Sequence, residues 1–383
     1  VTRGRRTIDE SIETIQESSM LTAEGCRQRR QRLWQRLDPP PDGDHLRLTD
    51  PVHLTYLANF YVDPFSLGAG FGGCLILRRD GHAKLLHEDR LPDSVQAAHV
   101  EERVVVPWYD AQTPARMPRQ LALLATTNPS GHGLRFHDRV GDPYAPVLIG
   151  SIAEMRRQKD PDEVEVLRRA MRAGGAGHAV ARQVVRPGIT ELDVYLAVSS
   201  ACERAAGQAV IVYGDFAVSP GPERTGGPPT DRVLEAGDMM IVDFSVVIDG
   251  YRGDFTNTIV VGGKPLPDQR RLFDLCTAAM AAGERELRAG RDCRTVYDAV
   301  NDVFDRAGMA QYFPHHAGHG IGLTHPESPY IVRGATETLL AGDVVTLEPG
   351  LYVPGVGGIR IEHNYLITDS SYERLSNHTI SLT

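Results

Sequence analysis

Residues 1–150 read as an α/β domain, and residues 151–383 as an α+β domain with two pseudo-two-fold halves. Three observations predict this. The first half alternates short apolar runs with polar helical stretches. A capping signal at Asp160 opens a long helix. Two Ala-Gly-Asp triplets, ending at Asp238 and Asp343, are each followed five residues on by an acid, Asp243 or Glu348. At 383 residues the chain can bury two cores.

Taken in order, residues 21–37 have helical character and stop at Asp38-Pro-Pro-Pro. The basic run 27–36 alternates with apolar residues and Gln, so it is expected to be an exposed helix face. Strand-like runs follow at 74–77 and 104–106, between Gly-, Asp- and Pro-bearing turns. Asp160 caps the next helix, Pro161 suits its first position and Glu163 completes a capping box. Val164, Leu167, Ala170 and Met171 form its buried face, while Gly174 and Gly175 leave its far end open. Further helices are expected near Thr190, over 268–289 and over 295–307.

The repeat carries the chemistry. Asp243 ends the apolar run 239–242, and Glu348 ends 344–347. Each is followed by a Gly-bearing turn and a second acid, Asp254 or Glu362, leading the β-type runs 258–261 and 365–368. Two hairpins, each with carboxylates facing across its strands, are expected.

Four such acids in one pocket repel. At 4 Å, with an effective dielectric near 20, a like-charge pair costs about 4 kcal/mol. Taken singly, each acid reads as a solvated hairpin residue. Their repeated placement behind apolar strands favours cations instead. Two divalent ions would balance four carboxylates, and oxygen-rich ligation with one imidazole suits manganese, cobalt, iron or zinc. The imidazole candidate is His319, because the glycines of Gly318-His319-Gly320-Ile-Gly322 suggest close backbone approach and exclude a helical His pair.

These residues resemble the pita-bread metallopeptidases: methionine aminopeptidase, aminopeptidase P and prolidase, with creatinase as a metal-free relative. Asp243 and Asp254, eleven residues apart, match the paired aspartates. Gly318-His319-Gly-Ile-Gly-Leu323, Glu348-Pro-Gly350 and Arg360-Ile-Glu362 match the remaining motifs. Residues 21–37, 50–60 and 159–163 resemble the aminopeptidase P, prolidase and creatinase branch, which carries an extra N-terminal domain. The resemblance implies an N-terminal domain over 1–150 and a pita-bread catalytic domain over 151–383.

The resemblance also implies that Asp243 chelates one metal, His319 and Glu348 bind the other, and Asp254 and Glu362 bridge them. A metal-bridging hydroxide would then attack a peptide carbonyl before proline, with Glu348 handling its proton. Manganese is the foremost ion, with cobalt, zinc or iron as alternatives. Arg360 either orients the carboxylates or forms a surface salt bridge. His315 matches a substrate-side histidine of the branch or is a loop residue.

The sequence departs from the branch in three places. A histidine seventeen residues before the first aspartate is replaced by Gly226. Losing such a donor commonly costs about 10²–10³ in rate. A histidine seven residues after His319 is replaced by Pro326, with His325 one residue early. On a strand, one step flips a side chain to the other face, so His325 is left either in the site or on a surface loop. Finally, Ser245 stands for a glycine and Asn257 for an arginine, changes expected to alter the pocket lining.

The leading expectation is therefore an Xaa-Pro peptidase acting on peptides. The alternative is a divergent enzyme acting on a specialised amide, another C–N bond or a non-peptide substrate. A pure binding module is disfavoured because it has no need of clustered acids. A net charge of −9 without a basic stripe argues against nucleic acid. No apolar run approaches a membrane span, and Arg3, Arg5, Arg6, Asp9, Glu10 and Glu13 leave no signal-peptide core. Five scattered cysteines read as reduced core residues. A cytoplasmic homodimer is the default expectation.

Overall fold

The computed structural model describes residues 20–37, 44–65, 73–89, 97–115, 136–219 and 226–383. The expected helix stop at 38–41 and the charged first nineteen residues lie outside them.

The N-terminal part holds α1 (Ala23–Arg36), β1 (His45–Leu48), α2 (Pro51–Ala58), β2 (Gly73–Arg78), β3 (Ala83–Glu88), β4 (Glu102–Val106) and α3 (Ala145–Arg157). Its sheet runs β1-β2-β3-β4, antiparallel except for the parallel pair β3–β4. Leu33, Leu46, Leu54, Leu75 and Leu148 bury against one another between helices and sheet.

α1 is not an exposed basic face. Arg29 and Arg30 are buried. Arg29 reaches Asp160 at 3.0 Å and Asp162 at 2.9 Å, so α1 is tied to the start of the next helix. A buried guanidinium needs such partners, and they come from far along the chain.

That next helix, α4, spans Pro161–Val184. The Glu163 carboxylate accepts from the Asp160 N–H at 3.0 Å, closing the capping box. Gly174 does not end it. A Cβ there would stand 2.6 Å from Cδ2 of Phe255, so glycine lets the helix lie close on the sheet beneath. α5 (Glu191–Ala206) has its own box, with Thr190 and Asp193 exchanging bonds of 3.0 and 2.8 Å.

α4 and α5 cover the antiparallel sheet β5 (Ile211–Ser219), β6 (Met239–Ile248) and β7 (Tyr251–Val260). A second helix pair, α6 (Pro267–Glu284) and α7 (Cys293–Arg306), covers a second sheet. That sheet contains β8 (Gly318–Gly320), β9 (Glu327–Ile331), β10 (Val344–Leu347), β13 (His363–Ile367) and β14 (Tyr372–Arg374), in the order β14-β13-β10-β8-β9. Between β10 and β13 the chain continues the same antiparallel register as β11 (Gly350–Val353) with β12 (Gly357–Arg360). The two sheets meet where Glu362 N–H donates to Thr256 O at 3.0 Å.

One expectation about the repeat needs correction. Asp243 lies mid-strand in β6, not at a strand end, and its cross-strand partner is Thr256, while Asp254 faces Ser245. The second pair fits the expectation: Leu347 lies opposite His363 and Gly350 opposite Arg360, so one register sets Glu348 opposite Glu362. The pairing of β10 with β13 carries on beyond the two acids as β11 with β12, bridged by Ile361 N–H donating to Pro349 O at 3.3 Å. All five cysteines are free and buried. Among the described residues no helix is long and apolar enough to cross a membrane.

Candidate metal centre

A cleft of about 410 Å³ opens at the seam between the two sheets. Asp243 and Asp254 enter it from β6 and β7. With Glu362 they form a set whose ligand atoms all lie within 4.8 Å of one another. Thr256 Oγ1 donates to Glu362 Oε2 at 2.6 Å, while Glu362 Oε1 is buried with no hydrogen-bond partner. A buried carboxylate oxygen left this way is costly unless a cation completes it.

Glu348 follows β10 directly. Its N–H donates to Ala317 O at 2.9 Å, and its Oε1 accepts from Thr346 Oγ1 at 3.0 Å. His319 sits on the short strand β8, which presses against β10. A Cβ at Gly318 would stand 2.9 Å from the Thr346 carbonyl carbon, so glycine permits this approach. His319 Nδ1 pairs with Gly320 O at 2.9 Å, leaving Nε2 facing Glu348 at 3.3 Å and Asp254 at 3.8 Å. Fixing one imidazole nitrogen on a carbonyl frees the other as a ligand.

The remaining singled-out residues surround this set. His325 Nε2 lies 2.7 Å from Asp254 Oδ2, so the one-residue shift still brings its ring into the cleft. Arg360 is buried and not a surface residue. Its Nη2 contacts both Asp243 and Asp215, and its Nη1 donates to Tyr352 Oη at 2.7 Å. His315 Nε2 lies 3.2 Å from the same Tyr352 oxygen.

Electrostatics follow the crowding. Burial, with Asp254 and Glu348 nearby and only partly offset by Arg360, pushes Asp243 up to about 7. Burial and the charges of Asp254, Glu348 and Asp243 push Glu362 well above the usual carboxylate range. Burial would raise Asp254 and Glu348 too. The His325 hydrogen bond holds Asp254 low, and the His316 hydrogen bond holds Glu348 low. Burial lowers His319, favouring a neutral ring. Together, the unpartnered Glu362 oxygen, the free His319 nitrogen and the mutually repelling acids fit divalent cations.

Three cleft residues escaped sequence reasoning. His316 Nε2 lies 3.1 Å from Glu348 Oε1; its position beside His315 was the available signal. Asp215 and Tyr352 gave no sequence signal, because strand pairing places them. Asn257, expected to alter the lining, instead holds the C-terminal segment through Ser381. Ser245 does line the cleft and donates to Asp254 at 3.3 Å.

The model of metallopeptidase family M24 matches residues 165–369. The chain belongs to metallopeptidase family M24. Uncharacterized peptidases of Staphylococcus aureus (strain USA300) and Staphylococcus haemolyticus are 28% and 29% identical over 233 residues. Those alignments span 60% of this chain and 65% of each relative, less than two thirds of its length. Among solved structures, dipeptidase PepE from Mycobacterium ulcerans is 26% identical, with TM-score 0.70, over 95% of this chain and 99% of that one. An Xaa-Pro dipeptidase from Bacillus anthracis is 23% identical, with TM-score 0.75, over 93% and 99% respectively, a likeness of fold. The M24 chain therefore has the pita-bread fold, with the cleft at the meeting of its two sheets.

Proposed function

We propose that this M24 chain hydrolyses the peptide bond preceding proline in short peptides, using two divalent ions, with manganese foremost. One observation carries the reading: a buried, unpartnered Glu362 oxygen sits among Asp243, Asp254 and Glu348. Asp243 would hold one ion, His319 and Glu348 the other, and Asp254 and Glu362 both. When bound, such a pair supplies an acidified water and a polarised carbonyl.

The side chains do the rest. Arg360 fixes Asp243 from behind, and His325 fixes Asp254. Glu348 Oε1, bonded by Thr346 Oγ1, is placed to hold the proton in transit. His315 and Tyr352 line the same cleft and would face the substrate. Residues 1–150 would be one domain and 151–383 the catalytic one, and the assembly a homodimer.

The test is turnover of Xaa-Pro dipeptides and longer Xaa-Pro peptides by protein loaded with manganese or cobalt, alongside metal quantification. Two equivalents of metal and proline-dependent cleavage are expected. Absence of cleavage at every metal loading sinks the reading.

Gly226 favours one other reading, in which the same centre acts on a specialised amide or other C–N bond. Turnover of small amides in place of proline peptides would select it.

A further inference from the structure

Asp215 lies on β5 directly opposite Asp243 on β6. Its Oδ2 accepts from Arg360 Nη2 at 2.6 Å, and its Oδ1 accepts from Gly227 N–H at 2.7 Å. Phe216 N–H donates to Gly227 O at 2.9 Å, so residues 226–227 are clipped to β5. A Cβ on residue 226 would stand 2.7 Å from Cγ of Asp215. The carboxylate thus occupies the space that a side chain at 226 would need.

A carboxylate only accepts hydrogen bonds, whereas an imidazole can also donate. This stretch of wall therefore suits a donor on the substrate and not a developing oxyanion. Its charge points the same way. One guanidinium, Arg360, serves two carboxylates, Asp215 and Asp243, and no lysine lines the cleft among the described residues. A third of the Asp215 side chain (33%) stays open to the cleft, with lone pairs to spare beyond its two bonds.

We propose that Asp215 is a specificity-determining residue that receives an ammonium or guanidinium group on the substrate's side chain. The proposal rests on the peptidase reading above. Charge-assisted hydrogen bonds of this kind are worth enough to select about tenfold or more between a cation and its neutral isostere.

The experiment compares Arg-Pro with citrulline-Pro, which differ in side-chain charge but share the α-ammonium. Manganese-loaded wild type is expected to favour Arg-Pro by about tenfold in kcat/KM, and the ratio should fall toward one in Asp215→Asn. A merely structural disturbance would lower both substrates alike and leave the ratio, which overturns the proposal. So does a wild-type ratio near one.

If neither dipeptide turns over, the peptidase reading has failed and a separate readout decides this one. Calorimetric binding of arginine amide and citrulline amide is measured on manganese-loaded and metal-free protein. Tighter binding of arginine amide that Asp215→Asn weakens about tenfold sustains the role. Equal binding of the two amides overturns it. Asp215→Ser gives a second variant, should the asparagine protein fold poorly.

Discussion

His325 Nε2 lies 2.7 Å from Asp254 Oδ2, although this histidine stands one position early for its motif. The short segment carrying it is held from outside. Glu327 takes Lys159 Nζ at 2.8 Å, Arg156 and the Thr324 hydroxyl at 2.9 Å. These bonds tie the segment to the end of α3 and to the stretch just beyond it. An ion pair this buried fixes geometry even where its net stabilisation is small.

His325→Ala is therefore expected to weaken divalent-ion affinity and lower kcat/KM, each by about 10–100-fold, through loss of the donor that orients Asp254. Glu327→Gln should shift both in the same direction by a smaller factor. Calorimetric titration with manganese and Xaa-Pro kinetics check this. Unchanged metal affinity in His325→Ala would remove the histidine from the centre.

The acids make the metal response depend on pH. Asp243 is raised from 3.8 to about 7 by burial and its neighbours, and Glu362 is raised as well. For an acid with a raised folded pKa, the stabilising contribution is complete below the unfolded value. It is lost as pH rises through the folded one. In metal-free protein Asp243 loses its contribution as pH climbs from about 4 to about 7, and Glu362, raised by the same crowding, loses its own in the same direction. Divalent ions replace the protons, so manganese should raise the melting temperature more at pH 8 than at pH 5.5 and release protons on binding. Scanning calorimetry in two buffers of different ionisation heat measures both. An equal gain at both pH values would mean these carboxylates do not meet the ions.

The legibility of this centre in the sequence tracks contact range. Asp243 and Asp254 belong to one continuous hairpin, so their spacing and the apolar runs around them disclosed the pair. Glu348 and Glu362 are legible in the same way, because one antiparallel register runs through β10–β13 and β11–β12 and sets them opposite each other. Asp215 was silent. Its meaning comes from pairing with Asp243 on the neighbouring strand. Arg29 was misread for the same reason. Local periodicity marks it as one more basic residue, whereas Tyr56 O at 2.8 Å and the carboxylates of Asp160 and Asp162, over 130 residues away, make its burial tolerable.

Arg29→Met tests that last contact. Without the guanidinium, Asp162 and Glu163 remain in a buried setting with no comparable counter-charge. Breaking a buried ion pair from one side costs about 3–5 kcal/mol. Arg29 also helps hold Asp162 below its usual range, against burial. That stabilisation is present above the unfolded pKa and lost on acidification. The variant should unfold at lower urea, with the deficit largest near neutrality and shrinking toward pH 3. A midpoint unchanged at pH 7 would show the pair to be dispensable.

Gly226→His addresses the missing histidine directly. If position 226 were simply vacant, restoring the imidazole would raise proline-peptide turnover. The space is taken, because a Cβ there meets the carboxylate that binds Arg360 and the Gly227 N–H. The single variant must push Asp215 aside and so loosen Arg360 behind Asp243. It should lose about tenfold or more in kcat/KM, the scale of a displaced orienting group. Asp215→Gly combined with Gly226→His removes the collision and should recover part of that loss. The combined effect is then far from the sum of the single ones, as expected for residues in contact. Kinetics of the two single variants and the double variant complete the cycle. Additive losses, or a gain in Gly226→His alone, would show that Asp215 does not guard that space.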